Sequence, residues 1–317
     1  MESHETEARR AWTSRFRDQK QEMFSAKYYG ACATGGLVSA GSAHFLITPF
    51  DVLKVNIQAN PVKYRNIWSG FGTLWKEQGF HGLWRGWGGK LYGYGGQGAC
   101  KFGLYEYFKK LYSDAAGPGN TNSHKTLIYL AGSVSAEAIA DVVLCPFEAV
   151  KVRVQTQPCF ARGLADGFPK LYQTEGFRGF YKGLVPLWGR NLPFAMIMFS
   201  SFEHSVDFIY AKILQKEKMD CSKGVQLGVT TAAGYASGVA GSIVSNPADN
   251  IITHIYNNKG SSVSQAVKEI GWVGLFTRSL PLRIMLVGPL VTAQWFCIDS
   301  MKIWMGLPPS GGIDQQF

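Results

Sequence analysis

No apolar run in this 317-residue chain reaches the roughly 18 uninterrupted residues that mark a transmembrane helix on hydropathy alone. Mean hydropathy is only -0.04. Hydropathy alone therefore does not decide the class, because helices lining a water-filled cavity are polar on one face and still span a bilayer. Cysteine is sparse: six residues (32, 100, 145, 159, 221, 297) form no C-x-x-C pair, and no His/Cys cluster has metal-ligand spacing. A disulfide framework and a zinc module are therefore excluded, and no metal site is expected. Acids are outnumbered, 22 against 32 Lys and Arg, giving a net charge of +10. Such a basic chain admits nucleic-acid binding as a distant reading, which would require bases and aromatics interleaved on one surface. Here the bases instead recur in loops and at helix ends, so no nucleic-acid partner is expected. No nucleophile–base constellation stands out either, which argues against an enzyme and leaves no cofactor to expect.

What the chain does have is a threefold repetition. "PFDVLKVNIQ" begins at Pro49, "PFEAVKVRVQ" at Pro146 and a degraded "PADNIITHIY" at Pro247, 97 and 101 residues apart. "EQGFHGLWRG", "EGFRGFYKG" and "EIGWVGLFTR" follow in turn, and "YEYFK", "FEHSV" and "IDSMK" end the units. Self-similarity at a fixed period defines the architecture before any single residue does. Each unit reads as a helix ending near its Pro-acid motif, a polar loop with a short helix, then a second helix. The first helices are rich in small residues, as in "GACATGGLVSAGSAH", which lets membrane helices approach closely. The expected fold is an all-α membrane protein with six transmembrane helices in three tandem pseudosymmetric repeats, plus short helices on one side. The boundaries are an N-terminal extension 1–27, repeats 28–115, 124–215 and 225–306, and a C-terminal tail 307–317. Residues 1–27 lack the apolar core of a secretory signal and make a weak mitochondrial presequence. The loops 59–90, 157–185 and 257–280 carry twelve Lys and Arg against four Asp and Glu. By the positive-inside tendency they face the negative compartment and attract anionic lipid.

Charges sit in register across the repeats. The prolines are followed by Asp51, Glu148 and Asp249; three residues on come Lys54, Lys151 and Ile252. Around a threefold axis these acids and bases can pair into a gate, with Gln58 and Gln155 one turn on to brace it. On the even helices Glu106, Glu203 and Asp299 are followed by Lys109, Val206 and Lys302. Each set has three acids and two bases. Solvated pairs are worth roughly 0–1 kcal/mol each, so both gates are expected to be soft.

"SAEAIADVVLCPFE" adds two further acids, Glu137 and Asp141. At about 100° per residue they share a stripe of roughly 40° with Glu148, and such a stripe cannot face lipid. His44 and Asp141 both lie five residues before their prolines, so His44, Glu137 and Asp141 are expected to form a titratable cluster, the equipment for carrying a proton with an anion. His44 read alone is a packing histidine. Lys101, with Gln97 one turn away, is the leading anion ligand; its equivalents are Met198 and Gln294. Arg190 has a planar fork suited to a tetrahedral oxyanion, and Arg283 and Lys90 lie nearer the loop ends of their helices. Lys101 and Arg190 each serve either the anion or a structural ion pair. "GYGGQG" (93–98) fits a dinucleotide fingerprint, but no strand precedes it, so these glycines read as close packing. The tryptophans at 68, 75, 84 and 87 suit an interfacial belt. Cys32 reads as a packing residue and a candidate for thiol sensitivity.

The tripled P-x-[DE]-x-x-[KR] pattern, from about Tyr28 to Met305, resembles the mitochondrial carrier family. "SAHFLITPFDVLKV", "YGYGGQGACKFGLYE", "SAEAIADVVLCPFEAVKVRVQTQP", "SNPADN" and "TAQWFCIDSMK" are similar to its phosphate-carrying members. The resemblance implies the inner mitochondrial membrane, both termini toward the intermembrane space, alternating matrix and cytosolic gates, bound cardiolipin and a functional monomer. It implies phosphate import with protons or in exchange for hydroxide, with the positions of His44 and Glu137 linked to proton coupling. Another small anion, or copper, is the alternative cargo. One departure stands out: phosphate carriers usually place lysine where this chain has Met198.

Overall fold

The computed structural model describes residues 25–59, 63, 67–117, 123–156, 159–257, 263–277, 280–307 and 309–311. The described residues are helical throughout their regular structure, in three units. Unit one contains α1 (Ala26–Leu46), α2 (Thr48–Ala59), α3 (Ile67–Leu83), a π-helical turn (Gly89–Tyr94) and α4 (Gly95–Ala116). Unit two contains α5 (Lys125–Thr156), α6 (Leu164–Tyr181) and α7 (Leu184–Phe208), which closes in a second π turn (Ile209–Leu214). Unit three contains α8 (Lys223–Asn257), α9 (Val263–Ile270), α10 (Trp272–Thr277) and α11 (Leu280–Trp304).

The Pro-acid motifs do not end their helices as the sequence suggests. Only Pro49 follows a break, at Ile47, and it stands in the first turn of α2, where its missing N–H costs nothing. Pro146 and Pro247 lie inside α5 and α8, which run on past the motif. One missing N–H kinks a helix but does not stop it when the following turns still pack. The second motif shows its repeat in the backbone: Gly79, Gly176 and Gly271 have φ of +62°, +64° and +72°. An L side chain is strained in that region, which is why a glycine stands there in every unit.

The long helices close into a ring. Helix α1 packs on α4, α4 on α5, α5 on α7, α7 on α8, α8 on α11, and α11 returns to α1. A Cβ on Gly36 would collide with the Gly98 carbonyl, and one on Gly98 with that of Gly36, so α1 and α4 meet backbone to backbone. Segments of α5, α8 and α11 are long and apolar enough to cross a membrane, with mean hydropathy of 1.7, 1.2 and 1.4. The other spans fall short because glycine, serine and charge dilute them. The ring is apolar outside, where Leu37, Val38, Ile139 and Val244 are exposed, while Glu137, Asp141, Glu203 and Asp299 are buried.

Candidate functional site

Three polar clusters lie along the ring, ordered on α4 and the turn before it. Lys90 marks the end carrying the short helices, Gln97 and Lys101 the middle, Glu106 and Lys109 the far end. At about 1.5 Å per residue the outer two are separated by roughly 28 Å, close to a bilayer core.

At the short-helix end Lys151 pairs with Glu148 at 2.8 Å and reaches Asp51 across the ring at 3.3 Å. Lys90 also holds Asp51, at 2.9 Å. Asp249 pairs with Arg283 at 2.8 Å, and Arg283 also donates to the Ser245 hydroxyl. An arginine expected among substrate ligands thus meets the acid of the unit whose motif lacks a base. Gln155 donates to the Arg85 carbonyl at 3.1 Å rather than to an ion pair, and so ties α5 to the preceding turn. The side chains of Lys54 and Gln58 lie outside the described residues.

In the middle the Gln97 amide donates to Glu137 and to Asp141, at 2.9 Å each. Lys101 meets Glu137 at 2.9 Å, with the Phe194 and Phe199 rings 5.7 Å from its ammonium. Asn191, which the sequence reading passed over, donates to Asp141 at 2.8 Å and accepts from Arg190 at 3.1 Å. Its only signal in the sequence was an amide beside an arginine inside an apolar helix. Three side chains from two helices, α4 and α7, thus converge on two acids of α5 that are both buried, with one Asp141 oxygen meeting no hydrogen-bond partner among the described residues. His44 stands apart from this network: its ring stacks on Tyr94 at 3.8 Å, and its buried Nδ1 has no hydrogen-bond partner among the described residues. Lys90, Asp51, Lys151 and Lys101 are among the charges acting on it. Gln294 is buried on α11 and makes no hydrogen bond to the described residues. Met198, the equivalent of Lys101 in the second repeat, is fully buried in an aromatic layer of Phe102, Tyr105, Phe199, Phe202 and Trp295. Phe202 and Trp295 stack there at 3.6 Å.

Beyond that layer Lys109 bridges Glu106 at 2.9 Å and Glu203 at 2.8 Å, and Tyr105 donates to Glu203 at 3.3 Å. Lys302 lies 3.9 Å from both Glu106 and Asp299. These side chains are at most 5% exposed, whereas Asp51, Glu148 and Asp249 are 16–20% exposed. The expectation of a soft, solvated closure fails at this end. Its charges are desolvated, and each depends on its partner far more than a surface pair does.

The mitochondrial carrier protein model matches residues 25–116 and 122–212. The chain is 60% identical over 293 residues to mitochondrial phosphate carrier protein 1 of Arabidopsis thaliana, covering 92% of this chain and 94% of that protein. It is 44% identical over 284 residues to solute carrier family 25 member 3 of Bos taurus, covering 90% and 78%. It is 43% identical over 287 residues to the mitochondrial phosphate carrier protein of Caenorhabditis elegans, covering 90% and 84%. With its helical ring, its repeats and matches of this extent, the chain belongs to the mitochondrial carrier family and is a transporter, not an enzyme.

Proposed function

We propose that this chain imports inorganic phosphate across the inner mitochondrial membrane, each phosphate entering with a proton or in exchange for hydroxide. The relatives named as phosphate carriers support the cargo. The observation that carries the coupling is the contact between Lys101 and Glu137 beside Asp141.

A lone ammonium deep in a span is costly, and Glu137 neutralises it when no anion is present. Phosphate competes for the same ammonium. A proton on Glu137 removes the competitor and frees Lys101 for the anion, so the two cargoes favour each other's binding. Asp141, held by Gln97 and Asn191, is the second proton acceptor, and His44 relays protons toward the gate that contains Asp51. Gln97 on the same helix as Lys101, Arg190 on α7 and Gln294 on α11 complete the anion site. Arg283 serves it when the matrix gate, formed by Asp51, Lys54, Glu148, Lys151 and Asp249 with Gln58 and Gln155, is open. Glu106, Lys109, Glu203, Asp299 and Lys302 form the cytosolic gate. The termini face the intermembrane space, the chain acts as a monomer, and cardiolipin binds the basic loops of the three repeats 28–115, 124–215 and 225–306.

Labelled phosphate uptake into liposomes containing the pure protein tests this reading, with and without an inward proton gradient, for the native chain and Glu137→Gln. The gradient should accelerate uptake only in the native chain. If phosphate does not move, the cargo is wrong and other anions and copper must be screened. If both proteins respond equally to the gradient, Glu137 is not the coupling group.

A further inference from the structure

The second repeat has Val206 where a gate base is expected, and something else occupies that seat. Val206 is fully buried. Gly311 lies against it so closely that a Cβ on Gly311 would come within 2.9 Å of both valine methyls. Gly311 has φ of +88°, a conformation that suits glycine. The residue before it is bonded into the third repeat's gate pair. The Ser310 N–H donates to Asp299 at 2.9 Å, and the Ser310 hydroxyl accepts from Lys302 at 2.6 Å. Asp299 and Lys302 are themselves 3.9 Å apart, too far for a hydrogen bond, so Ser310 mediates between them.

Two anchors hold this segment in place. Lys218, in the turn between α7 and α8, donates to the carbonyls of Pro309, Ser310 and Gly311 at 2.8, 3.1 and 2.7 Å. Gln226 fixes that turn by donating to the Lys218 and Cys221 carbonyls. Leu307 is buried with Tyr28, Ala31 and Cys32 at the start of α1. The segment thus touches all three repeats.

We propose that Leu307 and residues 309–311 are a working part of the cytosolic gate. They fill the position of the missing base at Val206, complete the Asp299–Lys302 pair through Ser310, and must leave that seat each time the gate opens. The proposal rests on the gate reading of Glu106, Glu203 and Asp299 given above and does not depend on which anion is carried.

Two experiments on the full chain in liposomes test it. The first is peptide-resolved labelling with a membrane-impermeant maleimide, which needs no substrate and so survives a wrong cargo assignment. Cys32 is buried under Leu307 while Cys159 is exposed. In Ser310→Ala Cys32 should label roughly ten-fold faster, the factor that one lost hydrogen bond is worth, and in Lys218→Met, which loses three, at least as much faster, with Cys159 unchanged. An unchanged Cys32 rate in both variants overturns the proposal. The second is the Val206→Cys/Gly311→Cys pair: a Cβ on Gly311 would lie 3.1 Å from the Val206 Cβ, and a shift of about half an ångström in the segment brings the two to the roughly 3.5–4.5 Å of a disulfide. Oxidation should abolish transport and reduction restore it. Equal transport in the two redox states means the segment need not move, and overturns the proposal. Where the reduced pair is itself inactive, the labelling result decides.

Discussion

Lys101 and Glu137 face each other at 2.9 Å from neighbouring helices, and Glu137 is almost fully enclosed. Breaking such a pair from one side leaves an unpaired buried charge, while removing both charges together avoids that penalty. Lys101→Gln should therefore abolish phosphate uptake. The double variant Lys101→Gln/Glu137→Gln should be as inactive but markedly more stable than Lys101→Gln alone. Thermal unfolding of the four proteins in one detergent, combined as a double-mutant cycle, measures that coupling.

Lys109 offers a sharper stability contrast. Lys109→Met leaves Glu106 and Glu203 facing each other without their bridging cation, at an expected cost of about 3–5 kcal/mol. Lys63→Met removes a partner of Glu77 from a pair whose side chains are 43% and 41% exposed, which should change stability by only about 0–1 kcal/mol. Similar losses of melting temperature in the two variants would refute the buried network.

Two glycine substitutions should differ in sign. A Cβ on Gly228, inside α8, meets nothing within 4 Å, so Gly228→Ala should gain about 0.5–1 kcal/mol from helix propensity. Gly98→Ala gains the same propensity but drives a methyl into the Gly36 carbonyl, and overpacking of this kind costs about 1–3 kcal/mol. Melting temperatures rising in the first and falling in the second are the expected pattern.

Lys218 lies outside the spans, and burial pushes its ammonium down to about 8 from the ordinary 10.5, against the opposing pull of Asp299 and Glu203. Between those values the unfolded chain holds a proton that the folded chain has released, so this group makes stability rise with pH. Part of the side chain still meets solvent, which reduces the effect. Unfolding measured from pH 7 to 10 should therefore show the native chain gaining on Lys218→Met as pH increases. A native chain that loses ground over that window would contradict the burial of Lys218.

The repeats and the all-helical ring were legible because periodicity survives when single residues drift. Gly79, Gly176 and Gly271 share one backbone conformation even though the third loop is shorter. What periodicity cannot reveal is a contact made by one unit alone. Asn191 on Asp141 and Ser310 on Asp299 have no counterparts at repeat spacing. Burial was equally hidden. The charges of α4, α7 and α11 read as solvated because a helix-end lysine in a sequence carries no sign of the aromatic layer or of the residues 309–311 packed beside it. Met198 looked like a missing ligand, and among the described residues it is core packing against Phe199 and Trp295.

The seam between α11 and α1 has a consequence for how the protein is made. Helix α1 is sealed by α11, so its inner face lacks its final neighbour until α11 has been made. At about 5–20 residues per second that interval is on the order of tens of seconds. Through it, the carboxylates that the finished ring encloses must be screened by something other than the ring, whether water or a guiding protein. Biogenesis of such a molecule is an all-or-nothing event, and a chain arrested after its second repeat would present an open, charged trough to the lipid.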